Sequence, residues 1–199
     1  VTDVTEFRIP AGKSYLSPVI DCFDGMPISW AISTSPSAEM ANSSLLGACS
    51  QLKEGEHPTG HSDRGCHYRW PGWIGICDDH GIVRSMSRKG CSPDNSACEG
   101  FFGRLKNEFF YHRDWSGVAV ESFMELLDEY IRFYNERRKK QSLGWMSPMQ
   151  YRISKGWTGQ GFLDGKISFF RQHLALGRTG RYSRSMSASS ACCSRARCI

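Results

Sequence analysis

Two stretches of the sequence, HSDRG at residues 61–65 and DNSACEGFFGRLK at residues 94–106, decide how this chain is organised. The first contains Asp63 and the second contains Glu99, and 35 residues, 64 to 98, lie between these two acids. The Arg-Gly pair after Asp63 is typical of a turn at the end of a strand, whereas Glu99 lies in a segment whose aromatic residues have helical spacing. The two acids are therefore predicted to lie on different secondary-structure elements of one domain.

Asp3 and Lys106 extend this pattern into a candidate site. Asp3 lies in a β-branched segment near the start, and Lys106 follows Glu99 by seven positions, which is two helical turns on the same face. Cleavage or transfer of a phosphodiester needs an activated oxygen nucleophile and a stabilised leaving oxygen, and two divalent cations about 3.5–4 Å apart supply both. Mg²⁺ prefers carboxylate oxygen. Three separated acids with a downstream lysine therefore indicate a metal site that acts on a phosphodiester.

The composition is that of an ordinary folded domain. The chain has 199 residues, 40% of them apolar, and a net charge of +5, which is compatible with a polyanionic partner without requiring one. It contains no apolar run near 18 residues and no recognisable signal peptide, so we expect no membrane association. The first residue is Val1 rather than Met, which indicates a fragment of a longer protein.

The nine cysteines are odd in number and follow no disulfide framework, so free thiols in a reducing compartment are expected. Cys66, His67, Cys77 and His80 could be imagined as a zinc site, but no CxxC pair supports it. We therefore interpret these four residues as structural or polar loop positions rather than as metal ligands.

Five strands are predicted from alternating β-branched residues and turn signals, at residues 1–9, 14–22, 27–33, a short segment ending at 61–63, and 82–87. Tight turns join the first three strands into consecutive hairpins, and the second turn contains Asp24-Gly25, a strong turn signal. Asp24 is therefore interpreted as a turn residue, and nearby Asp21 as a structural acid rather than a ligand.

Helices are predicted from apolar periodicity and capping residues, at about 35–53, 70–80, 92–111, 120 to an end in 137–140, and 148–154. Ser35 or Ser37 is expected to cap the first helix, and Ser92 with Pro93 to begin the third, which carries Glu99. After Lys155 the apolar periodicity stops, so residues 156–199 are predicted to form a poorly packed C-terminal tail.

The motifs, taken together and in order, match a known family. TDVT at 2–5, HSDRG at 61–65, DNSACE with the following FFGRLK at 94–106, YNERR at 134–138 and LGWMSP at 143–148 are each weak signals alone. As a set, the chain resembles the integrase-like catalytic core of bacterial insertion-sequence transposases of the DDE type, which are similar to retroviral integrases. The resemblance covers roughly residues 1–155.

The resemblance implies an α/β, ribonuclease-H-like fold: a five-stranded mixed sheet, its first three strands antiparallel, with helices on both faces. It implies that Asp3, Asp63 and Glu99 are the catalytic residues and bind two Mg²⁺ or Mn²⁺ ions. It gives the DNA-contacting role to Lys106, with Arg64 and Arg104 beside the same motifs as further candidates. The implied partner is double-stranded DNA, both transposon ends and target, bound by a homo-oligomer in the bacterial cytoplasm on chromosomal or plasmid DNA.

Two other interpretations remain open at the level of sequence. The family's helix-turn-helix region would precede Val1, and the tail has no recognised counterpart, so the chain could be an inactive truncated remnant that only binds DNA. A metal-dependent nuclease of the same fold is the other alternative. A divalent-metal titration followed by a nicking assay on supercoiled DNA is expected to separate these possibilities.

Overall fold

Three antiparallel strands open the computed structural model, which describes residues 1–87 and 95–157. They are β1 (Thr5–Ile9), β2 (Gly12–Asp21) and β3 (Met26–Ser33), with Thr5 opposite Leu16 and Leu16 opposite Ile32. Residues along β1 alternate between buried and exposed, as expected for a strand with one face on a core. The prediction of three hairpin-linked strands is confirmed, with boundaries that differ by a few residues.

The prediction of one continuous five-stranded sheet is wrong. The structure has this three-stranded sheet and a separate parallel pair, β4 (Thr59–Ser62) and β5 (Val83–Met86), and Thr2 links them through single bridges. Beyond Thr2, the Val4 amide donates to Asp3 Oδ1 (2.7 Å). Because this amide is turned to a side chain and not to a neighbouring strand, the ladder is interrupted between Thr2 and β1.

Within the described residues, five α-helices cover the sheets, with the bounds α1 Ala38–Cys49, α2 Pro71–Asp79, α3 Ser96–Leu105, α4 Val120–Glu136 and α5 Pro148–Ser154. The Ser37 side chain caps α1 by accepting from the Met40 amide, and Ser147 with Gln150 forms a capping box at α5. The predicted start of the third helix at Ser92 and Pro93 lies outside the described residues. One turn of π-helix, Lys106–Phe110, continues α3.

The helices pack on both faces of the sheet, as expected. On one face α3, the π turn and α4 bury an aromatic core against β1 and β2 that includes Phe7, Phe101, Phe109 and Phe123. On the other face α1 and α2 enclose a smaller cluster around Tyr68. At roughly 25 cal/mol per Å² of buried apolar surface, aromatic residues contribute most to such a core. This arrangement fixes α3 against the strands that carry the candidate acids.

The described chain ends beyond α5 with Trp157, whose ring packs against the cluster around Met149 and lies 5.7 Å from the Arg152 guanidinium. Residues 158–199, almost all of the predicted tail, lie outside the described residues, so that prediction is untested. No helix in the described part of the chain is long and apolar enough to cross a membrane.

Candidate functional site

Asp3 and Asp63 lie side by side because of how the two sheets are joined. Thr2 forms a parallel bridge with Ser62, and the Thr2 amide donates to the His61 carbonyl (3.0 Å). In parallel pairing, the residues that follow a bridged pair are neighbours and point to the same face. Asp3 and Asp63 each come one position after that pair, so backbone pairing brings their carboxylates together.

Glu99 approaches the same place from the first turn of α3. Burial raises the pKa of Asp3 above its ordinary value, and the negative charges of Asp63 and Glu99 raise it further, against the opposing effect of the Val4 amide. Cys98, the residue before Glu99, is fully buried; burial raises its pKa to about 12, and the charges of Asp3 and Asp63 contribute to that rise. Asp63 and Glu99 therefore both lie within electrostatic reach of Asp3.

Asp63 is held by the turn that follows it. The Gly65 amide donates to Asp63 Oδ1 (2.8 Å), and a Cβ atom at position 65 would lie 2.8 Å from that same oxygen. Because real Cβ atoms do not come so close, only glycine allows this hydrogen bond without displacing the carboxylate. Gly65 of the Arg-Gly pair recognised in the sequence therefore helps to orient the Asp63 carboxylate.

The donor chemistry of this cluster fits a hard divalent cation. Among residues 1–87 and 95–157, no lysine, arginine or histidine forms an ion pair with Asp3, Asp63 or Glu99. One oxygen of each aspartate accepts a backbone amide, while Oδ2 accepts no hydrogen bond from the described residues. Within the same ranges, no three His, Cys, Asp or Glu side chains form a ready-made metal cluster, so the carboxylates have to draw closer together to share a cation.

The candidate DNA contacts differ in how they are placed. Lys106 is partly exposed, and its Nζ lies 5.7 Å from the centre of the Phe7 ring. Arg64 is exposed, but its Nε donates to the Ser87 carbonyl (2.9 Å), which leaves only the outer part of the guanidinium for a ligand. Arg104 is exposed and interacts with Tyr134. The DNA-contacting roles of Lys106, Arg64 and Arg104 therefore stay predictions.

Sequence reasoning missed Tyr68, which lies in the 3₁₀ turn Cys66–Arg69 directly after the Asp63 motif. Its side chain is 1% exposed and its pKa is raised by burial, with the charges of Asp3 and Asp63 adding to the effect. An aromatic residue five positions after the acid was the available signal. The surrounding polar residues concealed it, because a short polar segment gives no periodicity.

The residues set aside in the sequence analysis have structural contacts. Asp21 is paired with Arg152, as expected for a structural acid. Asp24 accepts a hydrogen bond from the Met26 amide in the predicted turn, and it is also paired with Arg152, which was not predicted. His61 uses both ring nitrogens, Nδ1 with Ser85 (2.9 Å) and Nε2 with Ser87 (3.1 Å). The described cysteines are all free thiols, and the imagined zinc site of Cys66, His67, Cys77 and His80 is not formed.

Sequence comparisons identify relatives of this chain. Two family models described as integrase core domains match residues 1–92 and 99–155. A probable transposase for insertion sequence element IS1353 of Shigella flexneri is 56% identical over 78% of this chain and 30% of its own length. The putative transposase InsK of IS150 from Escherichia coli K12 is 43% identical over 76% and 53%, and an uncharacterized transposase-like protein of Haemophilus influenzae is 42% identical over 76% and 68%. The chain thus spans between about a third and two thirds of the length of these relatives.

Solved structures agree on the fold. An integrase catalytic core domain of HTLV-2, solved in complex with magnesium in a trimeric form, matches this chain with a TM-score of 0.56 and 17% identity. The match covers 75% of this chain and 92% of the length of the HTLV-2 chain. A simian T-cell lymphotropic virus intasome structure matches 94% of this chain and 59% of its own with a TM-score of 0.62 and 15% identity. Taken with the sequence relatives, these matches show that the chain belongs to the family of DDE-type insertion-sequence transposases with an integrase catalytic core.

Proposed function

We propose that this chain is the catalytic core of a DNA transposase, which cleaves phosphodiester bonds and transfers DNA strands with the help of two Mg²⁺ or Mn²⁺ ions. The observation that supports the proposal is that Asp63 and Glu99, from separate elements, both act on the charge of Asp3, and that none of the three acids has an ion-pairing partner among the described residues. Structural carboxylates are normally neutralised by a neighbour. Three that repel one another are kept for a cation that comes from outside the chain.

The proposed roles follow from where each acid lies. Asp3, whose pKa responds to the charges of both other acids, would contribute to holding both ions, and Asp63 and Glu99 would each contribute to holding one. Bound divalent ions activate the attacking oxygen and stabilise the leaving oxygen. The chain's own contribution is to orient the carboxylates of Asp3 and Asp63 through the Val4 and Gly65 amides, next to the ends of β1 and β4.

The DNA-binding part of the proposal rests on charge and position. Lys106 lies two helical turns beyond Glu99 and is proposed to contact a phosphate next to the reacting one. Arg64 and Arg104 are proposed as outer phosphate contacts. Since the solved HTLV-2 core is described in dimeric and trimeric forms, we propose a homo-oligomer on transposon ends and target DNA, acting in the bacterial cytoplasm.

The boundaries of the core are also part of the proposal. We place the catalytic core in residues 1–155 and a poorly packed tail in residues 156–199, apart from Trp157, which packs on α5. Limited proteolysis is expected to trim this tail before it cuts the core. Equal protection of both parts would contradict the division.

Nicking and strand transfer by the full chain test the function. Supercoiled plasmid and pre-cut transposon-end DNA are incubated with the parent chain, Asp63→Asn and the control Asp79→Asn, an exposed acid on α2, over a range of Mg²⁺ and Mn²⁺. We expect metal-dependent nicking and joining by the parent and by Asp79→Asn, and neither reaction by Asp63→Asn. Nicking without joining would favour a nuclease, and DNA binding without either reaction would favour an inactive remnant.

A further inference from the structure

The Tyr68 hydroxyl is a buried polar group that has no well-formed hydrogen bond among the described residues, although the Thr2 hydroxyl is close enough to act on its pKa. The side chain is 1% exposed, and no partner of the OH group satisfies hydrogen-bond geometry among the described residues. The hydroxyl of Thr2 lies nearby and lacks a well-formed hydrogen bond as well. An unpaired buried hydroxyl costs about 1–3 kcal/mol, so its retention calls for a reason.

The ring of Tyr68 has a clear structural role that does not need the hydroxyl. It packs edge-on against Trp73, with ring centres 4.9 Å apart, in the cluster formed by α1 and α2. Phenylalanine would fill this position equally well. The reason for a tyrosine must therefore lie at the oxygen atom, and that atom interacts with the side chain of Thr2, the residue before Asp3.

Three observations place Tyr68 beside those acids. The charges of Asp3 and Asp63 both act on its hydroxyl, with Asp3 the stronger of the two. A Cβ atom at Gly65 would touch Asp63 Oδ1 at 2.8 Å and the Tyr68 ring at 3.5 Å, so ring and carboxylate flank the same glycine. The Tyr68 amide also donates to the Gly65 carbonyl (3.2 Å), which ties the tyrosine to the turn that orients Asp63.

We propose that Tyr68 is a positioning residue whose hydroxyl donates a hydrogen bond to the Asp3 carboxylate when the acids draw together around divalent cations. This inference rests on the proposed function of the acids as metal ligands. In the metal-free chain the three carboxylates repel one another and form no closed cluster within residues 1–87 and 95–157. A hydrogen-bond donor beside Asp3 favours one orientation of that carboxylate. It thereby lowers the free energy needed to bring the three acids together around the cations, as hydrogen-bond partners of metal ligands do.

Tyr68→Phe tests the inference, because it removes one oxygen atom and keeps the ring. Without metal, the variant is expected to melt at the same temperature as the parent or slightly higher, since an unpaired buried hydroxyl is lost. In Mg²⁺ titrations followed by thermal melting, the midpoint is expected to move to about 10–100-fold higher concentration. The rate of metal-dependent nicking at limiting Mg²⁺ is expected to fall by a similar factor.

Tyr130→Phe is the matched control. The Tyr130 hydroxyl donates to Glu108 Oε2 (2.7 Å), so its loss is expected to lower the melting temperature and leave the Mg²⁺ midpoint unchanged. A Tyr68→Phe chain with the parent's Mg²⁺ midpoint, or with a lowered metal-free melting temperature, would overturn the inference. If the parent neither binds Mg²⁺ nor nicks DNA, it is the proposed function that fails; a parent that does both while Tyr68→Phe matches it refutes only the role of Tyr68.

Discussion

Two pairs of aspartates lie on the sheet, and their surroundings are opposite. At the β2–β3 turn, Asp21 and Asp24 share Arg152, which donates to Asp24 Oδ2 (2.6 Å) and to Asp21 Oδ2 (2.7 Å). Where Thr2 joins the two sheets, Asp3 lies within electrostatic reach of Asp63 and Glu99, and none of the three forms an ion pair among the described residues. One cluster is closed by an internal cation, and the other consists of like charges.

This difference separates acids that are paired with a cation of the chain from acids that have no such partner among the described residues. The Asp24 side chain is fully buried, yet every charge around it is matched, so the cluster fastens α5 to the hairpin. The Asp3 carboxylate is only half-buried, and its pKa is raised by burial and by its acidic neighbours. Mg²⁺ is therefore expected to leave unchanged the stability that is lost when a member of the first cluster is removed. When a member of the second cluster is removed, Mg²⁺ is expected to stabilise the variant less than it stabilises the parent.

Arg152→Ala is expected to have the largest effect, because it leaves two carboxylates, one of them fully buried, without their cation. The free energy of unfolding should fall by about 3–5 kcal/mol, with no recovery on adding Mg²⁺. Chemical denaturation with and without Mg²⁺ measures both. The control is Arg8→Ala, which removes an exposed ion pair with Glu6 and should cost at most about 1 kcal/mol. Equal losses in the two variants would remove the distinction between the clusters.

Glu99→Gln should act on function and leave the fold intact. It removes one charge and one good ligand with little change in shape, so we expect nicking and strand transfer to fall by more than about 100-fold, the effect of a poorly placed reacting group. Mg²⁺ should stabilise the parent by mass action and the variant much less. Thermal melts over a Mg²⁺ series measure this difference. Equal stabilisation of both chains would show that Glu99 is not a ligand.

Asp3→Asn tests the second cluster through the pH dependence of the free energy of unfolding. Because the folded pKa of Asp3 is raised, the folded chain binds more protons than the unfolded one above the ordinary value of 3.8, and stability falls as pH rises from there through the folded pKa. The metal-free variant lacks this loss, so it should be modestly more stable than the parent at pH 7 and equal to it below about pH 4. Denaturation at several pH values in EDTA tests this, and a variant less stable at pH 7 would contradict it.

Lys140→Met, next to the cluster of Asp21, Asp24 and Arg152, is expected to have the smallest effect on the free energy of unfolding. Burial lowers the pKa of Lys140 to about 8, helped by the charge of Arg104 and opposed by Asp24. The unfolded chain therefore binds more protons between pH 8 and 10.5, and this lysine makes stability rise with pH across that window. The variant should lack this rise, a difference below about 1 kcal/mol because the group is partly solvated. Parallel pH–stability curves for the two chains would refute it.

The fold was largely predictable because its signals are local. Alternation of β-branched residues located the first three strands, and the 3.6-residue period located α4 over Val120–Glu136. Capping chemistry predicted the start of α1 at Ser35 or Ser37, and the structure has the cap at Ser37. The interruption after Thr2 was not predictable, because it depends on whether one amide donates to a side chain or to a neighbouring strand.

What the sequence by itself determined was the set of acids and their order, since Asp3, Asp63 and Glu99 stand in motifs whose residue types and spacing carry the family resemblance. Only the tertiary structure decided which acids lack a cation, because Asp21 and Asp24 become structural through Arg152, more than a hundred residues further along the chain. The same holds for Tyr68, an ordinary aromatic residue in the sequence. Its importance arises from burial beside two charges, and burial is a property of the folded chain alone.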